Sequence, residues 1–168
     1  MERTQSIRRN DRADQPRCCL VIALKPGIRV QVHATGSLQR ISLFLSPSFI
    51  FDTEHCHPSL IEPLASWLKA YSQRKFLPFP LPFPAPSFRA DVLRFLHASP
   101  WGSIFSYQDV AKAVGSPRAA RAVGNICQGN PFPLLVPCHR VIRADGSLGR
   151  YTPNPTIKME LLQFEDAI

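Results

Sequence analysis

The chain has 168 residues, room for one ordinary domain or two small ones, and its 45% hydrophobic content allows a packed core and excludes global disorder. Lysine and arginine number 20 against 12 aspartate and glutamate, and the resulting formal charge of +8 suits a polyanionic partner without naming one. The five cysteines (Cys18, Cys19, Cys56, Cys127, Cys138) lack the spacing of a disulfide framework, and no secretory signal or membrane-length apolar run is visible, so a reducing cytosol or nucleus is expected.

Residues 1–17, "MERTQSIRRNDRADQPR", are polar and aperiodic and predict a flexible arm. Between Cys18 and Phe51 the runs "CCLVIAL", "IRVQVHA" and "ISLFLS", punctuated by Pro-Gly and Gly-Ser, predict a small sheet. In "PSLIEPLASWLKAYSQRK", Leu60, Leu64, Trp67, Leu68 and Tyr71 recur at helical spacing. Residues 18–75 are therefore expected to form a small α/β domain. The run "FLPFPLPFPAPS" then alternates proline from Pro78 to Pro86, which forbids both a helix and a central strand. Residues 76–86 are expected to be an extended strap between domains, with a ligand for a proline-binding module as the lesser alternative.

Beyond the strap the chain reads as helical. Ser87 is placed to cap "FRADVLRFLHA", whose Phe88, Val92, Leu93, Phe95 and Leu96 form an apolar face. Ser106 is placed to cap "YQDVAKAV", which Gly115 ends; a second helix, "SPRAARAVGNICQ", is expected to begin with Ser116 as its cap and Pro117 in its first turn. Two short helices meeting at a glycine have the proportions of a helix-turn-helix, although helical hairpins share them. In the second helix Ala119, Ala120, Ala122 and Gly124 leave little bulk beside Arg118 and Arg121, a surface suited to close approach by something charged.

"NPFPLLVPCHRVIRADGSLGRY" sets Cys138 between a proline and His139. A free thiol with a pKa of about 8.5 is only a few per cent thiolate at neutral pH, and lowering that pKa by two units takes roughly 2.7 kcal/mol of selective stabilisation. Adjacent side chains diverge, so His139 is expected to reach the sulfur through a water, with Glu165 as a candidate to orient the imidazole. A buried, inert cysteine is the bland alternative. His55, Cys56 and His57 lie near Cys18 and Cys19 in sequence but match no zinc spacing, and neither metal nor cofactor is expected.

The segment from "FSYQDVAKAVGSPRAARAVGNICQGNPF" to "PLLVPCHRVIRADGSLGRY" closely resembles the active-site domain of the O6-alkylguanine-DNA alkyltransferases, also called methylated-DNA–protein-cysteine methyltransferases. The likeness extends from "APSFRADVLRFLHASPWG" through "LLQFE", essentially the C-terminal half, residues 87–168. It implies an α+β protein: a small mixed α/β, ribonuclease H-like N-terminal domain followed by a helical, winged helix-turn-helix domain. It further implies single-turnover repair, in which a damaged guanine is rotated out of duplex DNA and its O6-alkyl group passes irreversibly to a cysteine.

By that resemblance Cys138 is the acceptor, His139 the base acting through water, and Glu165 its orienting carboxylate. Asn130 ties the recognition helix to the active-site loop, while Tyr107 helps rotate the phosphate and assists the leaving purine. Arg121 fills the space of the extruded base, on a helix whose Ala120, Ala122 and Gly124 approach the minor groove. Pro133, Val141, Tyr151 and Thr152 would line the guanine pocket. The implied partner is double-stranded DNA carrying O6-alkylguanine, with O4-alkylthymine as a second candidate lesion. The implied protein is a monomer without membrane contact, cytoplasmic, or nuclear in a eukaryotic host. One departure is "YTPNP", where the family has a small residue and two glycines; Pro153, Asn154 and Pro155 are expected to stiffen that pocket wall. The runner-up function, a non-transferring alkyltransferase-like damage-binding protein, conflicts with Cys138, because that branch replaces the cysteine, commonly with tryptophan.

Overall fold

β-Branched and aromatic residues favour pleated backbone, and the three runs rich in them form strands. These are β1 (Cys18–Lys25), β2 (Ile28–Thr35) and β3 (Ser37–Leu45), paired antiparallel in the order β1-β2-β3. Arg40 of β3 lies opposite His33 of β2, and the register shifts immediately beyond, between His33 and Ala34. The structure is a computed structural model that describes residues 18–25, 28–35, 37–45, 58–75, 77, 79–152 and 154–168. The expected N-terminal arm and the His55–His57 cluster lie outside the described residues.

Helix α1 (Pro58–Ser72) buries Leu64, Trp67, Leu68 and Tyr71, the face its periodicity predicts. The proline-rich run is irregular and packed down: Phe79 is buried, and Trp67 Nε1 donates to the Leu77 carbonyl at 2.8 Å. Phe83 sets its ring edge-on to His97 and beneath the Arg94 guanidinium.

Helix α2 (Phe88–His97) starts where Ser87 Oγ accepts the Ala90 amide. Strand β4 (Phe105–Ser106) leads into α3 (Tyr107–Ala113), whose entry is a reciprocal cap between Ser106 and Asp109. Helix α4 spans Ala120–Gln128, three residues later than Pro117 suggested. Gly115, at φ +74°, reverses the chain, and the Ser116 amide is taken by the Ala111 carbonyl of α3. Ser116–Ala119 then closes as a turn in which Pro117 supplies its fixed φ, so Ala119 stands at the N-cap of α4 and no side chain caps the helix. Strand β5 (Val141–Ile142) pairs parallel with β4, and α5 (Pro155–Phe164) begins at Asn154, whose side chain accepts the Thr156 amide.

One hydrophobic cluster runs from Ile41 and Leu43 through Leu64 and Leu68 to Leu93, Leu135, Ile157 and Leu161. Two polar bonds join β3 and α1 to the later part of the chain: Ile41 N–H donates to the Pro131 carbonyl at 2.7 Å, and the Tyr71 hydroxyl donates to Glu165 at 2.7 Å. The chain is thus of α+β class, a mainly helical body with a small sheet.

Candidate active site

The loop that carries Cys138 is held by Asn130, directly after the Gly129 cap of α4. Asn130 Oδ1 accepts the Phe132 amide at 3.0 Å, and Asn130 Nδ2 donates to the Val136 carbonyl at 2.8 Å and to Cys138 Sγ at 3.1 Å. One side chain therefore fixes the start of the loop, its end and the sulfur. His97 Nδ1 meets the Leu135 carbonyl at 2.7 Å from the α2 side, and Leu134 adopts φ +75°, a conformation rare for a branched residue.

Cys138 opens a single 3-10 turn, Cys138–Arg140, and is 5% exposed. Burial pushes its thiol above the ordinary cysteine range; the hydrogen bonds with Asn130 and Tyr151 and the Lys158 charge oppose that without reversing it. Burial therefore favours the neutral thiol, and the selective stabilisation that a resting thiolate would need is not supplied by its neighbours. The physical reason is direct: the cysteine's hydrogen-bond partners, Asn130 at 3.1 Å and the Tyr151 hydroxyl at 4.0 Å, are both uncharged.

His139 turns the other way, and its Nε2 lies 3.0 Å from Glu165 Oε1 with both side chains fully buried. Glu165 sits at the C-terminal cap of α5. Burial pushes its carboxyl upward, but the hydrogen bonds from His139 and Arg140 outweigh burial and bring it down to about 2. An ionised carboxylate only accepts, so Nε2 carries the imidazole proton and Nδ1 keeps the lone pair. Burial depresses the His139 pKa, so the ring is neutral, and Nδ1 has no hydrogen-bond partner among the described residues. That is the state a proton acceptor needs.

Arg140 is the principal residue that motif reading missed. Its Nε donates to Glu165 Oε2 at 2.6 Å and its Nη2 to Oε1 at 3.0 Å, while Nη1 binds the carbonyls of Ser99 and Pro100 and the Ser99 hydroxyl. Arg140 thereby balances the Glu165 charge, leaving His139 free to be neutral. Tyr71, placed in the core by periodicity alone, completes Oε1 with its hydroxyl. Lys158 is also buried and donates from Nζ to the Val141 and Leu148 carbonyls at 2.6 Å each. For all three the available signal was a polar group on an apolar stretch, which requires a buried partner.

Two adjoining cavities of about 320 and 300 Å³ meet at Cys138. The first is bounded by Tyr107, Gly124, Cys127, Cys138 and Lys158, with Arg143 and Arg150 also lining it. The second runs toward β3, between Ile41 and Leu43 on one side and Pro131 and Pro133 on the other. Tyr151 and Thr152 border both. Val141 does not line either cavity: it is fully buried in β5 opposite Phe105, its N–H donates to the Cys138 carbonyl and its own carbonyl accepts from Lys158. Tyr107 is half-buried; burial, then charge on Cys127 and Cys138, would push its phenol pKa up.

Arg121 is exposed on α4 and lines neither cavity, so it is not part of the cluster around the sulfur. Ala120 and Ala122 are partly exposed beside it, and Gly124 faces the Tyr107 ring, where an added Cβ would sit 3.8 Å from Cε1. In the "YTPNP" run Asn154 caps α5 and Pro155 occupies its first turn, so these two belong to a helix start and do not stiffen a loop. Pro153 lies outside the described residues. Among the described residues no cluster of three or more His, Cys, Asp or Glu side chains could hold a metal.

Residues 87–167 match the family model described as 6-O-methylguanine DNA methyltransferase, DNA binding domain. The chain is 41% identical over 117 residues to the methylated-DNA–protein-cysteine methyltransferase of Rattus norvegicus, across 62% of this chain and 56% of that protein. It is 38% identical over 117 residues to the constitutive methylated-DNA–protein-cysteine methyltransferase of Bacillus subtilis, across 68% of this chain and 71% of that protein. The chain thus spans little more than half the rat relative's length and over two thirds of the bacterial one's. The crystal structure of Mycobacterium tuberculosis OGT in complex with DNA superposes with a TM-score of 0.71 at 30% identity, covering 89% of this chain and 92% of that one. With the cysteine loop, its asparagine and the histidine–carboxylate pair in one buried site, this sequence similarity assigns the chain to the methylated-DNA–protein-cysteine methyltransferase family.

Proposed function

We propose that this chain repairs O6-alkylguanine in duplex DNA by taking the alkyl group onto Cys138, once per molecule. The observation that carries the reading is the position of Cys138 Sγ: it borders a cavity of about 320 Å³, and the neighbouring residue is a neutral, charge-balanced His139. The names of the rat and Bacillus subtilis relatives and the DNA in the Mycobacterium tuberculosis crystal support it.

In the reaction the sulfur attacks the alkyl carbon, the S–C bond forms as the C–O6 bond breaks, and guanine leaves as an anion. Because burial favours the neutral thiol, its proton leaves as the sulfur attacks and not beforehand. The Nδ1 lone pair of His139 receives that proton through water, and Glu165 stabilises the imidazolium that results. Tyr107, whose environment keeps it protonated, supplies a proton to the departing purine. Asn130 keeps the sulfur in register with α4.

The target atom is inaccessible inside a duplex, so the base must be extruded. The partly exposed Ala120, Ala122 and Gly124 would face the minor groove, with Arg121 in the gap. In this reading residues 87–168 are a winged helix-turn-helix domain and residues 18–75 a ribonuclease H-like one. The protein acts as a monomer in the cytoplasm or nucleus; among the described residues no helix is long and apolar enough to cross a membrane.

Intact-mass measurement after mixing with O6-methylguanine duplex tests the proposal. A gain of one methylene, saturating at one per chain, mapped to Cys138 and lost in Cys138→Ala is expected. Repeated turnover, or methylation of Cys127 at comparable speed, would refute it.

A further inference from the structure

The turn between β5 and Tyr151 is built more firmly than a connecting loop needs to be. Arg143 N–H donates to the Ser147 carbonyl, Gly146 N–H to the Arg143 carbonyl, and Ser147 N–H to Asp145 Oδ1. From beneath, Lys158 Nζ binds Val141 O on one side of the turn and Leu148 O on the other, a single buried ammonium clamping both stems. Arg143 lies across Gly149, whose φ of +68° and missing side chain make room for it. A Cβ there would sit 3.4 Å from Arg143 Nε and 3.5 Å from its Cγ.

This scaffold presents two guanidinium groups, Arg143 before the turn and Arg150 after it, on the wall of the cavity that holds Cys138 and Tyr107. Both are exposed, and among the described residues no carboxylate lines that cavity. Asp145, on the same turn, accepts the Ser147 amide, and that bond, with a smaller contribution from the Arg143 charge, holds its carboxyl below the ordinary value. Two guanidinium groups on the wall of a base-sized cavity, with the Lys158 ammonium also lining it, make a site for an anion attached to whatever enters it. Guanidinium matches phosphate oxygens with paired donors.

Resting on the transfer reading above, we propose that Arg143 and Arg150 form a phosphodiester clamp for the extruded nucleotide. They grip the phosphates flanking it while its base occupies the Cys138 cavity. Arg121 would then act on the duplex left behind, and the clamp on the nucleotide taken out. The preorganised turn is what lets two long side chains act without a large ordering cost.

The test compares O6-methyl-2′-deoxyguanosine with its 3′,5′-bisphosphate as substrates, reading methyl transfer to Cys138 by intact mass at low and moderate salt. In the unsubstituted protein the bisphosphate should react at least tenfold faster than the nucleoside, and that ratio should shrink as salt rises. In Arg143→Gln/Arg150→Gln the ratio should fall toward one, with each single substitution removing part of it. A ratio near one in the unsubstituted protein, or a ratio preserved in the double variant, would overturn the clamp. Neither result touches the transfer reading, which a methylated duplex tests separately. Failure of that duplex to methylate Cys138 would remove both.

Discussion

Four donors converge on the two oxygens of Glu165: His139, Arg140 through two nitrogens, and Tyr71. Its carboxyl titrates at about 2 in the fold against about 4.3 in an unfolded chain, so the folded state binds fewer protons between those values. His139, also depressed, binds fewer protons below about 6.5. Both shifts have the same sign: stability is full above the unfolded pKa and is lost as pH falls, beginning with His139 and continuing through Glu165 down to about pH 2. Glu165 contributes roughly 3 kcal/mol of this. Urea midpoints measured against pH should fall on acidification, and Glu165→Gln should be less stable at pH 7 and lose the part of the fall between about pH 4 and pH 2 that Glu165 supplies, while the His139 part remains. A variant that keeps that lower part would move its origin elsewhere. For Cys138 the expectation concerns the thiol itself. The far-ultraviolet thiolate absorbance removed by Cys138→Ser should show no titration step below the ordinary cysteine value of about 8.5. A step near neutrality would mean a resting thiolate and a different order of proton and alkyl transfer. Cys138 and His139 were legible in sequence because they adjoin; the Tyr71–Glu165 bond joins positions 94 residues apart, and no local pattern announces it.

At the scale of elements, the strands and the capped helices follow from alternation, periodicity and Ser87 and Ser106, signals that act within one turn of chain. The start of α4 did not, because the Ser116 amide was claimed by α3, a tertiary competitor that a Ser-Pro signature cannot display. Helix α4 also carries a conflict between stability and use. Gly124 lies inside the helix at an ordinary φ, and an added methyl would make only van der Waals contact with Tyr107 at 3.8 Å. Gly124→Ala should therefore raise stability by about 0.5–1 kcal/mol in urea unfolding, the helix-interior difference between the two residues. If this face enters a DNA groove, the same methyl should weaken binding to duplex DNA severalfold. Stabilisation with unchanged duplex affinity would take Gly124 out of the interface.

On the scale of the whole molecule, the two halves meet at the chemistry. Composition and the proline-rich run suggested separate units, and the sequence likeness was strong only in the second. Yet Tyr71 from α1 reaches the carboxylate that orients His139, and Ile41 of β3 pairs with the loop that begins at Asn130 and Pro131. Tyr71→Phe should cost about 1.5–3 kcal/mol, the range for a hydrogen bond to a charged group, and should slow alkyl transfer while the ring stays packed between Trp67 and Phe164. Unfolding free energy and single-turnover rate measured on the same preparation check this; a slower rate with no loss of stability would separate the two roles. The arrangement also bears on inheritance and on engineering by exchange. A first half grafted from another protein without a hydroxyl at the same oxygen of Glu165 would carry the deficit of Tyr71→Phe, so the two parts of this chain are matched to each other more closely than independent modules would be.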